Sequence, residues 1–211
     1  MRTLRLIILP TSSKMLALPG PLFTRESLLV GGVSLRLEAV SFTQDSTVTG
    51  TGGTFWDASY ILCQYLEAHP DLVQNKLVLE LGSGLGLGAM GAKLLGARSV
   101  VATDLPEVLP AIQRNCEINQ VLVETRALDW LAPEPLACEL IIMADVVWVE
   151  PLARPLASTL HTLLTADNQA LLVNKPRSNP VFAAFTAALD GISLAYQESL
   201  QGHDVYLLSL S

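Results

Sequence analysis

Residues 77–88 (LVLELGSGLGLG) constrain the fold more than any other part of the chain. Residues 77–81 form an apolar run that contains one acid, a pattern typical of a buried parallel strand. Glycines then occupy alternate positions, and small and apolar residues follow at helical spacing up to residue 95. A strand, a glycine turn and a helix in this order predict the first half of a nucleotide-binding unit. The glycines would let the backbone approach a ligand, and the helix start would offer free N–H groups.

Strands and helices are predicted to alternate along the rest of the chain. The predicted strands are 77–81, 99–103, part of 121–128, 140–144 and 169–174, and the helices between and after them are 87–95, 107–119, 151–164 and 180–189. This alternation predicts a parallel sheet with helices on both faces. The last two strands, 192–197 and 205–210, must pair antiparallel because the link between them is too short for a parallel crossover. The fold class is therefore α/β, with a Rossmann-like, mostly parallel sheet of seven strands and an antiparallel closing hairpin.

The chain before residue 77 is predicted to add a short extension to this domain. Residues 1–25 contain three prolines and are expected to form an irregular leader, followed by a single domain over 26–211. Residues 28–37 predict a β-hairpin around Gly31-Gly32, and residues 41–54 predict a loop. Residues 55–68 carry apolar residues at helical spacing and predict a helix that ends before Pro70. Pro155 is expected to delay the start of the 151–164 helix.

Composition narrows the classes of partner. The chain has 211 residues and a formal net charge of −7, which argues against a nucleic-acid partner. No apolar run approaches the length of a membrane span, so no membrane partner is expected. Three cysteines without a Cys-x-x-Cys spacing favour a reducing compartment, cytoplasmic or nuclear, although the early basic residues give a weak organelle-targeting character. Nothing indicates a coiled coil, and a monomer is expected.

The glycine loop and one downstream acid predict a nucleoside-containing cofactor. Asp104 follows the second predicted strand, about twenty residues beyond the loop, where a carboxylate can accept hydrogen bonds from both ribose hydroxyls. Counting from Gly84, the pattern G-x-G-x-x-A is present, so a dinucleotide and S-adenosylmethionine both remain open. The chain has no Tyr-x-x-x-Lys pair, no P-loop, no G-x-S-x-G and no H-E-x-x-H.

Four motifs in order resemble one family. They are Phe55-Trp56-Asp57-Ala58, Glu80-x-Gly82-x-Gly84 with Asp104, Leu128-Asp129-Trp130, and Ala144-Asp145-Val146-Val147-Trp148. Together they are similar to the family-16 seven-β-strand methyltransferases, which include the protein-lysine methyltransferases of the methyltransferase-like 21 group. The resemblance covers about residues 28–210. It implies a methyltransferase that uses S-adenosyl-L-methionine, most simply one that methylates a lysine ε-amine of a protein substrate.

The resemblance also implies roles for individual residues. Trp56 matches a tryptophan near the methionine moiety, Asp104 the ribose-binding acid, and Trp130 the aromatic beside the adenine. The full set of implied cofactor-binding residues is Trp56, Glu80, Gly82, Ser83, Gly84, Asp104, Leu105, Asp129, Trp130 and Ala144. Asp145 and Trp148 match the catalytic acid-x-x-aromatic motif, and no metal is implied. The family commonly has Tyr or Phe at the last position of this motif, so Trp148 is a departure.

Several alternatives stay open at the level of sequence. Asp145 could cap the next helix, Trp56 and Trp148 could belong to the core, and Trp130 could be a surface plug. The basic loop at 175–178 is expected to be solvated. The acceptor could instead be a histidine, an N-terminus or a small-molecule amine. A nicotinamide-dependent oxidoreductase and a catalytically silent binding module are the alternatives from other classes.

Overall fold

The computed structural model describes residues 22–40, 49–177 and 179–211. The strands within these ranges are β1 (Leu22–Val30), β2 (Val33–Val40), β3 (Leu77–Leu81), β4 (Ser99–Asp104), β5 (Glu124–Ala127), β6 (Leu140–Ala144), β7 (Gln169–Asn174), β8 (Ile192–Leu200) and β9 (His203–Leu210). The helices are α1 (Thr49–Gly52), α2 (Asp57–Ala68), α3 (Leu87–Leu94), α4 (Leu109–Asn119), α5 (Glu150–Leu163) and α6 (Asn179–Ala187).

Seven strands form the main sheet in the order β5-β4-β3-β6-β7-β9-β8. Strand β3 pairs in parallel with both β4 and β6, and β9 pairs antiparallel with both β7 and β8. The chain therefore winds outward in both directions from β3, and the switch in direction lies between β3 and β6. A crevice at the carboxyl ends of the strands is expected at such a switch point. The predicted Rossmann-like sheet with an antiparallel closing hairpin is confirmed.

Two apolar layers cover the faces of this sheet. Side chains alternate along β3, so Val78 packs into one layer and Leu79 and Leu81 into the other. Helices α2, α3 and α4 cover the Val78 side, whereas α5 and α6 cover the opposite side. The fully buried Phe185 of α6 is one of the largest side chains in the second layer. These layers fix the strand ends against each other and so fix the site.

The β1–β2 hairpin is attached to the domain through asparagine side chains of α4. Asn115 Oδ1 accepts from the Glu38 N–H at 2.8 Å, and Asn119 Oδ1 accepts from the Arg36 N–H at 2.8 Å. Asn119 Nδ2 also donates to the Arg36 carbonyl at 2.7 Å. The two amides thus replace the neighbouring strand that β2 lacks on this edge. An unsatisfied strand edge would otherwise be left against the helix.

Three expectations need correction or lie outside the described residues. Strand β1 begins at Leu22, so the expectation of irregular structure up to residue 25 is wrong for 22–25, and residues 1–21 are outside the described ranges. Residues 49–52 form a short helix within the expected loop, whose residues 41–48 are not described. Helix α5 begins at Glu150 and contains Pro155, so this proline does not delay its start. The missing N–H of Pro155 removes only one intrahelical hydrogen bond.

Two further features bear on the expected class of protein. All three cysteines are free, and Cys63 and Cys116 are buried. None of the helices in the described ranges combines the length and apolar character needed to span a membrane.

Candidate functional site

A cavity of about 470 Å³ opens at the carboxyl edge of the main sheet. Four neighbouring strands deliver residues to it: Gly82 follows β3, Asp104 ends β4, Asp129 follows β5, and Ala144 ends β6. The remaining lining residues are Thr51, Gly52, Trp56, Leu105, Leu128, Trp130, Leu131, Asp145, Val146, Trp148, Leu152 and Arg177. This is the edge at which parallel α/β sheets bind ligands.

The cavity brings together most of the residues singled out from the sequence. They are Trp56, Gly82, Asp104, Leu105, Asp129, Trp130, Ala144, Asp145 and Trp148. Glu80 and Ser83 line a smaller adjoining cavity of about 30 Å³, which shares Trp56, Gly82 and Ala144 with the large one. Gly84 lines neither cavity. The residues predicted to hold the cofactor are therefore divided between the large cavity, the small adjoining cavity (the side chamber) and the glycine loop next to them.

Asp104 is held rigidly by the backbone around it. Its Oδ2 accepts from the Gly84 N–H at 2.8 Å, and its Oδ1 accepts from the Leu105 N–H at 2.8 Å. Burial raises the pKa of this carboxyl to about 6, while the two N–H donors lower it and the nearby Glu107 raises it. Asp104 is consequently ionised at neutral pH and titrates just below it. Each carboxylate oxygen still has a lone pair for a ligand hydroxyl.

Glu80 has a different environment from Asp104. Its Oε2 accepts from the Ala89 N–H at 2.9 Å, and its side chain is buried beneath the glycine loop. Burial raises the pKa of Glu80 to about 8, more than the Ser83 hydroxyl and the Ala89 N–H lower it. Glu80 is therefore protonated at neutral pH. The buried Ser83 hydroxyl has no hydrogen bond of good geometry, although it lies close enough to Glu80 to influence that pKa.

The glycine loop lets separate segments approach one another. Gly82 has φ 68°, and a Cβ there would lie 2.9 Å from Val146 and 3.2 Å from Trp130. Gly84 has φ 53°, and a Cβ there would lie 3.2 Å from the Gly52 carbonyl oxygen. Both positions thus need glycine for the backbone conformation and for the close approach.

Several N–H groups of this loop are already used inside the protein. The Ser83 N–H donates to the Thr103 carbonyl at 3.0 Å, and the Gly86 N–H donates to the Ser83 carbonyl at 2.7 Å. The Gly84 N–H is taken by Asp104 at 2.8 Å. The expectation of free N–H groups concerned the helix start, where the Ala89 N–H in the first turn of α3 is taken by Glu80 at 2.9 Å. A ligand here would be recognised mainly by carboxylates and aromatic rings.

Three tryptophans form walls of the cavity. Trp56 is 37% exposed, and its Nε1 donates to the Thr51 carbonyl at 3.1 Å. Trp130 and Trp148 are half-buried. The alternative that Trp56 and Trp148 are plain core residues is wrong, since neither side chain is enclosed. Trp130 packs near Gly82 and lines the cavity, so it is not a surface plug.

Asp145 lies in the cavity with an ionic partner that sequence reasoning missed. Its side chain is only 2% exposed, and its Oδ1 accepts from Arg177 Nη1 and, at 3.3 Å, from the Lys175 N–H. The backbone of Asp145 has φ 58°, and helix α5 starts five residues later with Val149 at its N-cap. The alternative that Asp145 caps this helix is therefore wrong.

Arg177 belongs to the loop after β7 that was expected to be solvated. Its guanidinium carbon lies 5.1 Å from the centroid of the Trp56 ring, within the range of a cation–π contact. Arg177 lines the cavity, but its side chain is 36% exposed, so it remains solvent-accessible like Lys175 while it contacts the site. The only signal in the sequence was the position of a basic residue at a strand's carboxyl end. In the described ranges, no group of three or more His, Cys, Asp or Glu is placed to hold a metal ion.

Comparison with known proteins identifies the family of this site. A family model described as lysine methyltransferase matches residues 37–188. The chain is 34% identical over 143 residues to protein N-lysine methyltransferase METTL21A of Danio rerio, covering 63% of this chain and 65% of that protein. It is 33% identical over 146 residues to EEF1A lysine methyltransferase 3 of Mus musculus, covering 66% and 62% respectively. The matches thus span somewhat less than two thirds of these relatives' own length.

A solved structure shows the same fold at much lower identity. A 16S rRNA methyltransferase from T. thermophilus, solved with S-adenosylmethionine and guanosine, superposes with a TM-score of 0.63 at 18% identity. The superposition covers 90% of this chain and 52% of that one. This likeness concerns the Rossmann-like methyltransferase fold, not the acceptor.

The cavity fits S-adenosyl-L-methionine, the cofactor of this family. Asp104 presents a carboxylate to a ribose, Leu105 and Trp130 offer apolar surfaces to a base, and the unsatisfied Ser83 hydroxyl lies in the side chamber next to Trp56. The nicotinamide alternative finds no support in the family match. On the match over residues 37–188 and the fold around the cavity, this chain belongs to the lysine methyltransferase family.

Proposed function

We propose that this protein transfers a methyl group from S-adenosyl-L-methionine to the ε-amine of a lysine in a protein substrate. The observation that carries the proposal is that Asp145 and Trp148 line the same cavity as Asp104 and Trp130. One cavity thus joins the candidate cofactor residues to the candidate acceptor residues. A protein acceptor is supported by the similar relatives, a protein N-lysine methyltransferase and an EEF1A lysine methyltransferase.

The cofactor-binding part of the proposal rests on fixed side chains. Asp104 would accept hydrogen bonds from the ribose hydroxyls, while Leu105 and Trp130 would enclose the adenine and Trp56 the methionine end. When bound, S-adenosylmethionine supplies a methyl group on a sulfonium, which needs no activating metal or enzyme nucleophile. The two backbone donors on Asp104 keep its carboxylate oriented before the ligand arrives.

The acceptor part of the proposal concerns the protonation of lysine. A free lysine has a pKa of about 10.4, so the amine must lose its proton to be nucleophilic. The aromatic and aliphatic walls of the cavity disfavour a charged amine because they desolvate it. Trp148 would form one wall of the acceptor channel, and Asp145 would accept a hydrogen bond from the amine and orient its lone pair.

The proposal is tested by incubating the pure protein with tritiated S-adenosylmethionine and a cell lysate, followed by gel separation and mass spectrometry of the labelled band. We expect a discrete protein band that carries methyl-lysine. Asp104→Ala should abolish the label, whereas Glu107→Ala, which removes an exposed carboxylate nearby, should retain it. A tritium label found on histidine or on an N-terminus would show that this group, rather than lysine, is the acceptor. No transfer despite cofactor binding by calorimetry would indicate a silent binding module.

We also propose a monomer that acts in the cytoplasm on protein rather than on nucleic acid. The net charge of −7 disfavours phosphate backbones, and three free cysteines are typical of a reducing compartment. Size-exclusion chromatography with light scattering tests the oligomeric state. A labelled RNA band in the lysate experiment would contradict the choice of acceptor.

A further inference from the structure

Arg177 is the one positively charged side chain among the described residues that line the main cavity. The other charged groups there are carboxylates: Asp104 at the end of β4, Asp129 after β5 and Asp145 after β6. Glu80 lies in the side chamber, and Lys175 on the loop of Arg177 is exposed. Asp129 Oδ1 accepts from the Leu131 N–H at 2.9 Å. The question is therefore which of these three carboxylates the Arg177 guanidinium contacts.

The contact is with Asp145. The guanidinium binds Asp145 Oδ1 and stacks over the Trp56 ring, so it is held by a carboxylate on one side and an aromatic face on the other. A carboxylate as buried as Asp145 is costly to keep ionised without a positive partner. The hydrogen bonds from Arg177 and from the Lys175 N–H both reach Oδ1 of this carboxylate, and none from the described residues reaches Oδ2. Oδ2 is left for a ligand.

We propose that Arg177 is a positioning residue that neutralises Asp145, so that the cavity selects the acceptor lysine in its uncharged form. This inference rests on the proposed function. A bare Asp145 carboxylate would stabilise the lysine ammonium and so keep the nitrogen protonated. Paired with Arg177, the carboxylate contributes almost no net charge but still offers Oδ2 as a hydrogen-bond acceptor to a neutral amine. Arg177 acts on the substrate only through Asp145.

The first test measures binding of two probes at pH 7.5 by NMR titration, with S-adenosylhomocysteine present. n-Butylamine is a cation at this pH, like a free lysine side chain, and n-butanol is a neutral probe of similar shape. We expect Arg177→Met to bind butylammonium about tenfold more tightly than the wild type, because a buried carboxylate loses its partner. The affinity for butanol should not change. Equal affinity of both proteins for butylammonium, or an equal gain for butanol, would overturn the proposal.

Two control variants separate charge from structure. Arg177→Lys keeps the positive charge and should keep the wild-type preference between the probes. The double variant Arg177→Met with Asp145→Asn removes both charges, so it should lose the gain for butylammonium. Thermal unfolding would reveal whether Arg177→Met is too unstable to fold. In that case the double variant can still be measured, because it has no unpaired buried carboxylate. A gain that persists in the double variant would contradict a role through Asp145.

The second test distinguishes neutralisation from simple occupation of the acceptor's place by Arg177. Methyl incorporation into lysate protein is measured at pH 7 and pH 9 for the wild type and Arg177→Met. Neutralisation predicts that the variant is slower at pH 7 and recovers at pH 9, since its bound lysine holds the proton more tightly. Faster transfer at pH 7 would mean that Arg177 only blocks the site. If the wild type itself transfers no methyl group, the proposed function fails. The probe titration then still decides whether Arg177 neutralises Asp145.

Discussion

The carboxyl group of Glu80 accepts a hydrogen bond from the Ala89 N–H at 2.9 Å, which ties the carboxyl-terminal part of β3 to the first turn of α3. The glycine loop lies between these two residues, so its ends are fixed by a side chain as well as by the sheet. A Cβ at Gly88 would lie 2.0 Å from Glu80 Oε1, which shows how closely the carboxyl packs against the helix. The protonation of Glu80 should therefore affect the stability of the whole domain.

Glu80→Gln should flatten the pH dependence of stability. Burial raises the pKa of Glu80 from 4.5 to about 8, so the folded state binds this proton more tightly than the unfolded state. The resulting contribution to stability is complete below the unfolded pKa and is lost as pH rises through the folded pKa. Glutamine imitates the protonated carboxyl and cannot ionise. Urea unfolding of both proteins from pH 5 to pH 9 measures the effect, with the exposed Glu107→Gln as control.

Between pH 5 and pH 9, the free energy of unfolding of the wild type should fall by up to about a few kcal/mol relative to that of Glu80→Gln. This is the magnitude that corresponds to a pKa shift of a few units. Asp104 contributes in the same direction because its pKa is also raised, but it is present in both proteins. Parallel stability curves for the wild type and Glu80→Gln would show that Glu80 is ionised in the folded state at neutral pH.

Gly91→Ala should destabilise the packing of α3 on α2. A Cβ at this position would lie 2.3 Å from Cys63 Sγ, and Cys63 is fully buried. We expect the free energy of unfolding to fall by about 1–3 kcal/mol, a change typical of overpacking in a core. Cys63→Ala removes the obstructing sulfur, so the double variant should recover part of the loss. A double-mutant cycle by chemical denaturation checks this, and strictly additive effects would contradict the clash.

The fold was predictable from the sequence because its signals are local. The apolar runs at 77–81, 140–144 and 169–174 coincide with β3, β6 and β7. The short Gly-containing link after β8 dictated the antiparallel closing hairpin. The start of β1 was less accessible, since residues 22–25 carry no alternation that distinguishes a strand from an irregular leader. Pairing with β2, a non-local interaction, determines that start.

The candidate site was predictable only where a residue belongs to a motif. Asp104, Trp130 and Asp145 stand at strand ends within recognisable patterns, and the structure places all three in one cavity. Arg177 stands outside every motif, and its importance arises from contacts with Asp145 and Trp56, 32 and 121 residues away along the chain. The protonation state of Glu80 likewise depends on burial, which the sequence of a single strand does not reveal.

Asp104→Asn should weaken cofactor binding and remove its acid sensitivity. The pKa of Asp104 is raised to about 6, so the wild type should bind S-adenosylhomocysteine most tightly above pH 7 and more weakly as protonation removes a charged acceptor at lower pH. The variant should bind at least about tenfold more weakly at pH 8. Its affinity should change little between pH 8 and pH 5. Isothermal titration calorimetry measures both, and an unchanged affinity would place Asp104 outside the cofactor site.

Asp145→Asn should separate cofactor binding from turnover. The amide retains the shape of the carboxylate and an oxygen for the Lys175 N–H, but it offers neither the charge nor the full acceptor capacity to an amine. We expect the affinity for S-adenosylhomocysteine to stay within about twofold of the wild type and kcat to fall by about a hundredfold or more. Calorimetry and the tritium assay measure the two quantities. Wild-type turnover in the variant would exclude Asp145 from the reaction.

Replacements of Trp148 should show whether the cavity needs a phenol, an indole or any aromatic wall. Trp148 lines the cavity and is half-buried, at the position where the related motif commonly has Tyr or Phe. Since indole has no hydroxyl, the chemistry here cannot depend on one, and Trp148→Tyr and Trp148→Phe should have similar kcat values. Trp148→Ala should lose about tenfold or more in kcat/KM, because the acceptor channel loses the ring that desolvates and positions the amine. Methyl transfer to the labelled lysate protein compares the three variants. A much higher kcat for Trp148→Tyr than for Trp148→Phe would instead show that a hydroxyl at this position assists transfer, and that this chain is an enzyme slowed by its indole.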